Sequence, residues 1–226
     1  MSNADDLSSW LASLPPDWTA RCGPSVFLRA REAYDTPVRA YHNWRHVEAC
    51  VAQMPSFVCD HPRCVFLGLV FHDAVYIAGR TDNEANSAEL ARAALAGCAS
   101  STELDAIDRM IRATSNHLAH AASADRDLAV MLDIDLSILG ASREEYARYA
   151  QAIHDEFVPS AATDAQFRIG RLEFLERTLA SPRLFITSEA SRRWDALARA
   201  NMASEIDDLK GEQGFVERAV SAPRRH

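Results

Sequence analysis

The chain has 226 residues, of which 48% are hydrophobic and 25% charged, and its formal net charge is −8. This composition is typical of a globular protein with a buried core, and the acidic balance argues against general affinity for nucleic acid polymers or anionic membranes. Glycine (8) and proline (9) are sparse for the turns of an all-β protein, which favours helices.

The N-terminal segment MSNADDLSSW lacks the basic and apolar regions of a signal peptide, and no apolar run reaches the ~18 residues that span a bilayer. The cysteines are odd in number and form no CxxC pair: Cys22, Cys50, Cys59, Cys64 and Cys98. We therefore expect a cytoplasmic protein, not bound to a membrane, whose cysteines are reduced and mostly serve as small core residues.

Apolar spacing and helix-end signals predict helices along the whole chain. In chain order they cover 26–34, 44–54, 63–76, 81–95, 100–117, 126–139, 142–157, 164–179 and 188–209. The stretch 63–76 is apolar on every face, as expected of a central helix. Gly140 is placed to cap the C-terminal end of the predicted helix 126–139. Capping boxes begin the helices at 100 and 142. We expect one all-α bundle over 1–226, with a core at about 20–160 and the helices of 164–209 packed on it.

Two His-Asp pairs occur, His72–Asp73 after the apolar run RCVFLGLV and His154–Asp155 within QAIHDEF. The first pair shares its helix faces with large apolar residues, where a carboxylate is costly to bury unless a cation or several donors compensate. The second pair falls beside Arg148 on a polar helix face. His72–Asp73 is therefore the candidate metal site, and the second pair is expected to face solvent.

The segment 126–139 supplies two further carboxylates, Asp133 and Asp135. Asp135 lies in the apolar stripe of its helix, at i+3 and i+4 from Leu132 and Met131, whereas Asp133 neighbours Arg126 on what the pattern predicts to be a more open side. An acid within an apolar stripe needs a partner, so Asp135 is the preferred ligand. In the alternative arrangement Asp133 is the ligand and Asp135 supports it.

The segment HNWRH supplies His42, just before a helix, and His46 at its start. The two are spaced as an i, i+4 ligand pair, but no glutamate stands between them, so a zincin-type site is not predicted. His42 either holds a neighbouring group, faces substrate or is structural.

At these residues the sequence resembles the HD superfamily of metal-dependent phosphohydrolases, whose pattern is H…HD…D. More narrowly, it is similar to a bacterial family of predicted HD phosphohydrolases with YHNxxH, HDxVY and DxDLxILG elements. Here the corresponding segments are YHNWRH, HDAVY followed by NEANS, and DIDLSILG, and the later RLEFLERTLA and ARANMASEIDDL also fit. The resemblance covers roughly residues 10–210 and implies an HD-type helical fold.

The resemblance implies a metal held by His46, His72, Asp73 and Asp135. It suggests Asp73, with Glu84, as the catalytic acid/base groups. Many HD hydrolases carry an acidic residue one turn after the dyad, where this chain has Val75, Tyr76 and Ile77, so Glu84 is the nearest replacement. The expected substrate-binding or supporting residues are His42, Arg45, Arg80, Thr114, His117 and Asp133. For His117, a core role, a phosphate contact and a second metal ligand all remain open.

A His2Asp2 ligand set suits Mn, Fe, Co, Ni or Zn, and its imidazoles make Mg a poorer fit. We expect a hydrolase acting on a small phosphorylated molecule or nucleotide, either as a single chain or as an oligomer. One alternative is a di-iron HD-type oxygenase, whose extra ligands would come from His42, His117 and His120. Another is a non-catalytic metal-binding regulatory module.

Overall fold

The fold is built from α-helices joined by short turns. The computed structural model describes residues 3–35 and 39–221, and the side chains of 7–35 and 39–211. Its α-helices are α1 (Asn3–Ala12), α2 (Pro16–Thr19), α3 (Pro24–Asp35), α4 (Trp44–Gln53), α5 (Pro62–Phe71), α6 (Asn83–Leu95), α7 (Ser101–Ala113), α8 (Arg126–Asp135), α9 (Arg143–Phe157), α10 (Asp164–Ala180) and α11 (Ser188–Ser221). Three 3₁₀ helices cover Met54–Ser56, Thr114–His120 and Leu136–Gly140. No strand forms within these described ranges, which confirms the all-α prediction.

Helix α5 lies at the centre of the bundle. Every residue from Cys64 to Phe71 is buried, and α2, α3, α4, α6, α7 and α8 all pack against it. A helix that is apolar on every face is stable only where neighbours cover it, so α5 organises the elements around it. The prediction of a central helix is confirmed, although the helix ends at Phe71 rather than Tyr76 and His72 follows as its cap residue.

The chain leaves α5 early because side chains of α6 bind the backbone that follows. Ser87 Oγ accepts from the Val75 amide at 3.0 Å and donates to the Val75 carbonyl at 3.1 Å. Asn83 makes the same pair of bonds with Ile77, both at 3.0 Å. Gly79 then adopts a φ of +81°, where its missing Cβ would lie 3.2 Å from the Cβ of Ala161. The segment NEANS thus anchors the loop that begins with the His-Asp pair.

Some of the other predicted helix ends are confirmed, and others are wrong. Both capping boxes are present, at Ser100 and Ser142. The helix expected to reach 117 instead ends at Ala113 and continues as a 3₁₀ helix with a break at Asn116. Likewise, α8 ends at Asp135 and residues to Gly140 are 3₁₀. The short helices α1 and α2 were not predicted. Each described helix is too short or too polar to cross a membrane.

Gly140 does not act through backbone conformation as the sequence suggested, since its φ is not positive. A Cβ there would lie 2.4 Å from the Cβ and 2.7 Å from the carbonyl oxygen of Trp194 in α11. Close to this contact, the amide of Asn201 donates to the carbonyls of Leu139 and Ala141 at 2.9 and 3.0 Å. Gly140 is required because α11 packs directly on the backbone at this point.

The expectation that the cysteines are reduced is wrong for one pair, because Cys22 and Cys98 form a disulfide. The segment after α2 and the turn after α6 meet here, with Cα atoms 5.1 Å apart, within the range that a disulfide can bridge. Cys50, Cys59 and Cys64 are free, and Cys50 and Cys64 are buried. A pair 76 residues apart leaves no local signal in the sequence.

We predict that Gly140→Ala lowers the free energy of unfolding by about 2 kcal/mol or more, because the added methyl overpacks against backbone that cannot rotate away. A Cβ added at Gly97 meets nothing within 4 Å, so Gly97→Ala is the matched control and should stay within about 1 kcal/mol of wild type. Urea unfolding measures both. Equal stability of the two variants would contradict the close-packing role of Gly140.

Candidate metal centre

Four side chains from α4, α8 and the turn after α5 converge at one buried point. His46 Nε2 lies 3.1 Å from both His72 Nε2 and Asp135 Oδ1, and 3.8 Å from Asp73 Oδ2. His72 Nε2 lies 3.0 Å from Asp73 Oδ2 and 3.3 Å from Asp135 Oδ1. A metal with bonds of about 2.1 Å holds neighbouring ligands about 3.0 Å apart at right angles and about 3.4 Å apart at tetrahedral angles. The distances of 3.0–3.3 Å among these atoms therefore match the spacing of a coordination shell, and the 3.8 Å between His46 and Asp73 is longer.

The hydrogen bonding of His72 shows that a cation fits among these atoms. Its Nδ1 lies 2.8 Å from the carbonyl oxygen of Leu69, which can only accept, so Nδ1 carries a proton. In the neutral ring Nε2 is then a bare lone pair, although His46 Nε2, Asp73 Oδ2 and Asp135 Oδ1 all surround it. Such an arrangement needs a second proton on His72 or a metal ion. Two overlapping groups here could hold a metal: His46, His72 and Asp73, or His46 and Asp135 with Cys50.

The charges of the cluster also favour a bound cation. Burial alone lowers the pKa of His72, but Asp73 and Asp135 outweigh it and raise that pKa well above its usual value. Burial raises the pKa of Asp73, yet His72 brings it down to about 2. The pKa of Asp135 also lies well below its ordinary value, because His72, His117 and His46 outweigh the effect of burial. Two ionised carboxylates thus remain in a buried space that favours positive charge.

The backbone of the dyad is held by Arg39, which the sequence reading missed. This side chain is 8% exposed and donates to the carbonyl oxygens of Asp73, Ala74, Ala33 and His42, all within 3.1 Å. Burial lowers the pKa of Arg39. A single guanidinium therefore ties the dyad to the segment that carries His42, which fixes two parts of the site relative to each other.

His42 is oriented by a carboxylate that the sequence reading also missed. His42 Nδ1 lies 2.6 Å from Glu156 Oε2 in α9, and Glu156 Oε1 accepts from the amides of Tyr41 and His42 at 2.7 and 2.8 Å. The side chain of Glu156 is only 4% exposed. The ring of Tyr76 stacks on the imidazole at 3.9 Å. These contacts leave Nε2 of His42 for the cavity that His42 lines.

Asp135 also binds a third imidazole. Its Oδ2 lies 2.8 Å from His117 Nε2, while its Oδ1 faces His46 and His72. His117 lies in the 3₁₀ helix after α7, and the neighbouring Thr114 is buried with its hydroxyl donating to the Ile111 carbonyl at 2.8 Å. Both residues line the same cavity as Asp135. His117 is thus brought to the site, whereas the Thr114 hydroxyl already donates to the backbone.

The reason given for preferring Asp135 over Asp133 is wrong. Asp133 is 1% exposed, so it does not lie on an open side, because α8 is covered on both sides. Its carboxylate accepts from the Ile186 amide and from the Thr187 amide and hydroxyl, each at 2.7 Å. Burial nevertheless raises the pKa of Asp133. Asp133 points away from the cluster and holds the segment that leads into α11, while Asp135 points into the cluster.

Cys50 lies at the edge of the cluster, with Sγ 3.7 Å from His46 Nδ1. Burial, together with the charges of Asp135 and Asp73, raises the pKa of this thiol well above its usual value. Cys50 is buried beside His46, as the sequence predicted for most of the cysteines.

The remaining predicted residues lie farther out. Arg80 is exposed and paired with Asp82 at 2.8 Å. Arg45, also exposed, lines a cavity of about 450 Å³ that touches the site through His46. Glu84 lies in the first turn of α6 and adds a small contribution to the raised pKa of Tyr76, which is mainly caused by burial. These three residues therefore surround the His-Asp cluster at a distance and are not part of it.

The second His-Asp pair lies on the surface as predicted. The side chains of His154 and Asp155 are 33% and 55% exposed. His154 Nε2 pairs with Asp164 at 2.8 Å, and Asp155 accepts from Gln151 at 2.8 Å. This pair takes part in a solvated network between α9 and α10.

A larger cavity of about 590 Å³ adjoins the site on its open side. Asp135, His117 and His42 are part of its wall, and their side chains are 13%, 19% and 19% exposed, against 4% for His46 and 1% for His72. Asp135, His117 and His42 are therefore accessible from this larger cavity.

No protein-family model matches this chain, and no curated protein matches it either.

We predict that Asp133→Asn lowers the free energy of unfolding by about 1–3 kcal/mol, because an amide nitrogen then faces a buried amide donor. The exposed Asp155→Asn is the control and should change stability by less than about 0.5 kcal/mol. Unfolding in urea of metal-free protein measures both. An Asp133→Asn variant as stable as Asp155→Asn would show that these three bonds do not hold the segment before α11.

Proposed function

We propose that this chain is a metal-dependent phosphohydrolase of the HD type, acting on a small phosphate ester or nucleotide. The observation that carries the proposal is the position of His72 Nε2, which lies 3.0 and 3.3 Å from two carboxylate oxygens and 3.1 Å from a second imidazole nitrogen. The resemblance of the YHNWRH, HDAVY and DIDLSILG segments to HD hydrolases supports the same reading.

The proposed ligands are His46, His72, Asp73 and Asp135. Two imidazoles and two carboxylates suit Mn, Fe, Co, Ni or Zn better than Mg. When bound, a divalent metal of this kind supplies Lewis acidity toward a phosphoryl oxygen and lowers the pKa of water. His72 is pre-set for ligation because its bond to the Leu69 carbonyl keeps the proton on Nδ1.

The protein groups around the cluster would carry the proton transfers. In hydrolysis a water oxygen bonds to phosphorus and gives up a proton, which Asp73 would accept, while the ester P–O bond breaks and the leaving alkoxide takes a proton from a second group. Asp73 directs Oδ2 at His72, which leaves Oδ1 to accept a hydrogen bond from the attacking water. His117, held by Asp135, would stabilise charge on the phosphoryl oxygens.

His42 is the group best placed to deliver the proton to the leaving oxygen. It lines the larger cavity next to Asp135, and Glu156 holds its ring by Nδ1, as a carboxylate orients a general acid/base histidine. Glu84, which the sequence suggested for this role, lies in the first turn of α6 and is not part of the wall of the larger cavity. The proposal therefore transfers the acid role from Glu84 to His42.

We predict that purified protein contains about one equivalent of a transition metal per chain. His72→Ala and Asp135→Asn should lose it or bind at least about tenfold more weakly, whereas Asp133→Asn and Asp155→Ala should retain it. Elemental analysis and competition with a chelator measure this. Full metal retention in His72→Ala and Asp135→Asn would refute the ligand assignment, and two irons per chain would favour the oxygenase alternative.

We further predict hydrolysis of phosphate monoesters in a panel run with several divalent metals. His42→Gln should lower kcat by about 10²–10⁴-fold at unchanged metal content, because the proton donor is lost. Glu156→Gln should lower it less, and Glu84→Gln should behave like wild type. The reverse order, with Glu84→Gln inactive and His42→Gln active, would restore Glu84 as the acid. Stoichiometric metal with no turnover of any ester would instead favour the regulatory module.

A further inference from the structure

The larger cavity is much bigger than a phosphate group requires. Its volume of about 590 Å³ falls in the range of about 300–1,000 Å³ typical of small-molecule sites. Since Asp135, His117 and His42 belong to its wall, a molecule that occupies it is in contact with the metal centre. The part of the wall away from the cluster should therefore fit the chemical group to which the phosphate is bonded.

That part of the wall is formed by apolar faces of two helices. From α9 come Tyr149, Ile153 and Phe157, spaced i, i+4 and i+8. From α10 come Phe167 and Phe174, seven residues apart on one face. On its other side α10 packs on α11. Both rings of α10 are only partly buried: Phe167 contacts the rings of His154 and Phe157, and Phe174 lies against the guanidinium of Arg171. An apolar ligand in the cavity would bury the parts of these rings that remain exposed.

The charges on this wall do not suit a polyphosphate. Arg171 is 7% exposed, and it is neutralised by Glu205, whose oxygens lie 2.8 and 3.0 Å from its guanidinium. It also donates to the Tyr149 hydroxyl at 3.2 Å and lies over the rings of Tyr149 and Phe174. Among the described wall residues, Arg177 is the other arginine, and it lies exposed on α10. A di- or triphosphate would need several available donors.

We infer that the larger cavity binds the alcohol part of a phosphate monoester, and that this part is an uncharged apolar group containing a ring. The inference rests on the proposed phosphohydrolase function for the position of the phosphate. It narrows the substrate class from small phosphate esters or nucleotides in general to monoesters of apolar, ring-containing alcohols.

Gly170 allows the cavity to be filled without disturbing the fold. It lies in α10 within the cavity wall, and a Cβ added there meets nothing within 4 Å. Gly170→Phe should therefore fold and reduce the space for a ligand. Gly211 in α11 is equally open and is not part of this wall, so Gly211→Phe is the matched control. Phe174→Ala, which removes one ring from the wall, is a second and independent variant.

Binding is measured by calorimetry on the metal-containing protein with two phosphonates, which are not hydrolysed. Wild type should bind 2-phenylethylphosphonate at least about tenfold more tightly than methylphosphonate, because the ring is buried. Gly170→Phe and Phe174→Ala should lose most of this preference, and Gly211→Phe should keep it. Equal affinities in wild type, or an undiminished preference in both cavity variants, would overturn the inference.

Turnover separates this inference from the proposed function. The esters are 2-phenylethyl phosphate and glycerol 3-phosphate, whose leaving groups are both alkoxides. Wild type should show at least about tenfold higher kcat/KM for the phenylethyl ester, and Gly170→Phe should not. Hydrolysis of both esters with equal kcat/KM would leave the phosphohydrolase function standing and overturn the cavity assignment. Hydrolysis of neither, with the phosphonate preference intact, would refute the proposed function and support the ring-binding cavity.

Discussion

The hydrogen bond from His72 Nδ1 to the Leu69 carbonyl joins the fold to the site. The last carbonyls of a helix have no partner within it, and here the first residue beyond α5 satisfies one of them with its own side chain. The same bond fixes the tautomer of His72 and directs Nε2 at two carboxylates. The end of the central helix and the electrostatics of the cluster are therefore set together, and the segments that carry Arg39, Asn83 and Ser87 serve to hold the chain in that position.

Sequence patterns predicted the four clustered residues, yet the reasoning was sound for only part of them. The sequence indicated His72–Asp73 because an acid follows an apolar run. That signal was valid because α5 is covered on all sides. The same stripe logic chose Asp135 over Asp133, although α8 is also covered on every face and Asp133 is the more buried of the two. A stripe separates core from solvent when one face of a helix is open. In α8 the difference between the acids is which partner each one meets, and that depends on the segment before α11.

Glu156 could have been identified from the sequence as a buried acid that needs a partner. It lies three residues after Ile153 and seven after Tyr149, so helical spacing places it near the buried stripe of α9. The argument that an acid in such a stripe needs a partner applied to it as much as to Asp135. Arg39 and the Cys22–Cys98 disulfide offered no such signal, because their partners lie on other elements and depend on how the helices meet.

Helix α9 links the chemistry of the site to its choice of ligand. One of its carboxylates, Glu156, orients His42, while Tyr149, Ile153 and Phe157 on a neighbouring face form part of the larger cavity. Because the two sets lie on one rigid helix, a shift of α9 that changed the shape of the cavity would also move the carboxylate that holds His42. The Tyr149 hydroxyl is in turn tied through Arg171 to Glu205 in α11. The C-terminal helices are thus connected to the site through α9, although none of the four clustered side chains belongs to them.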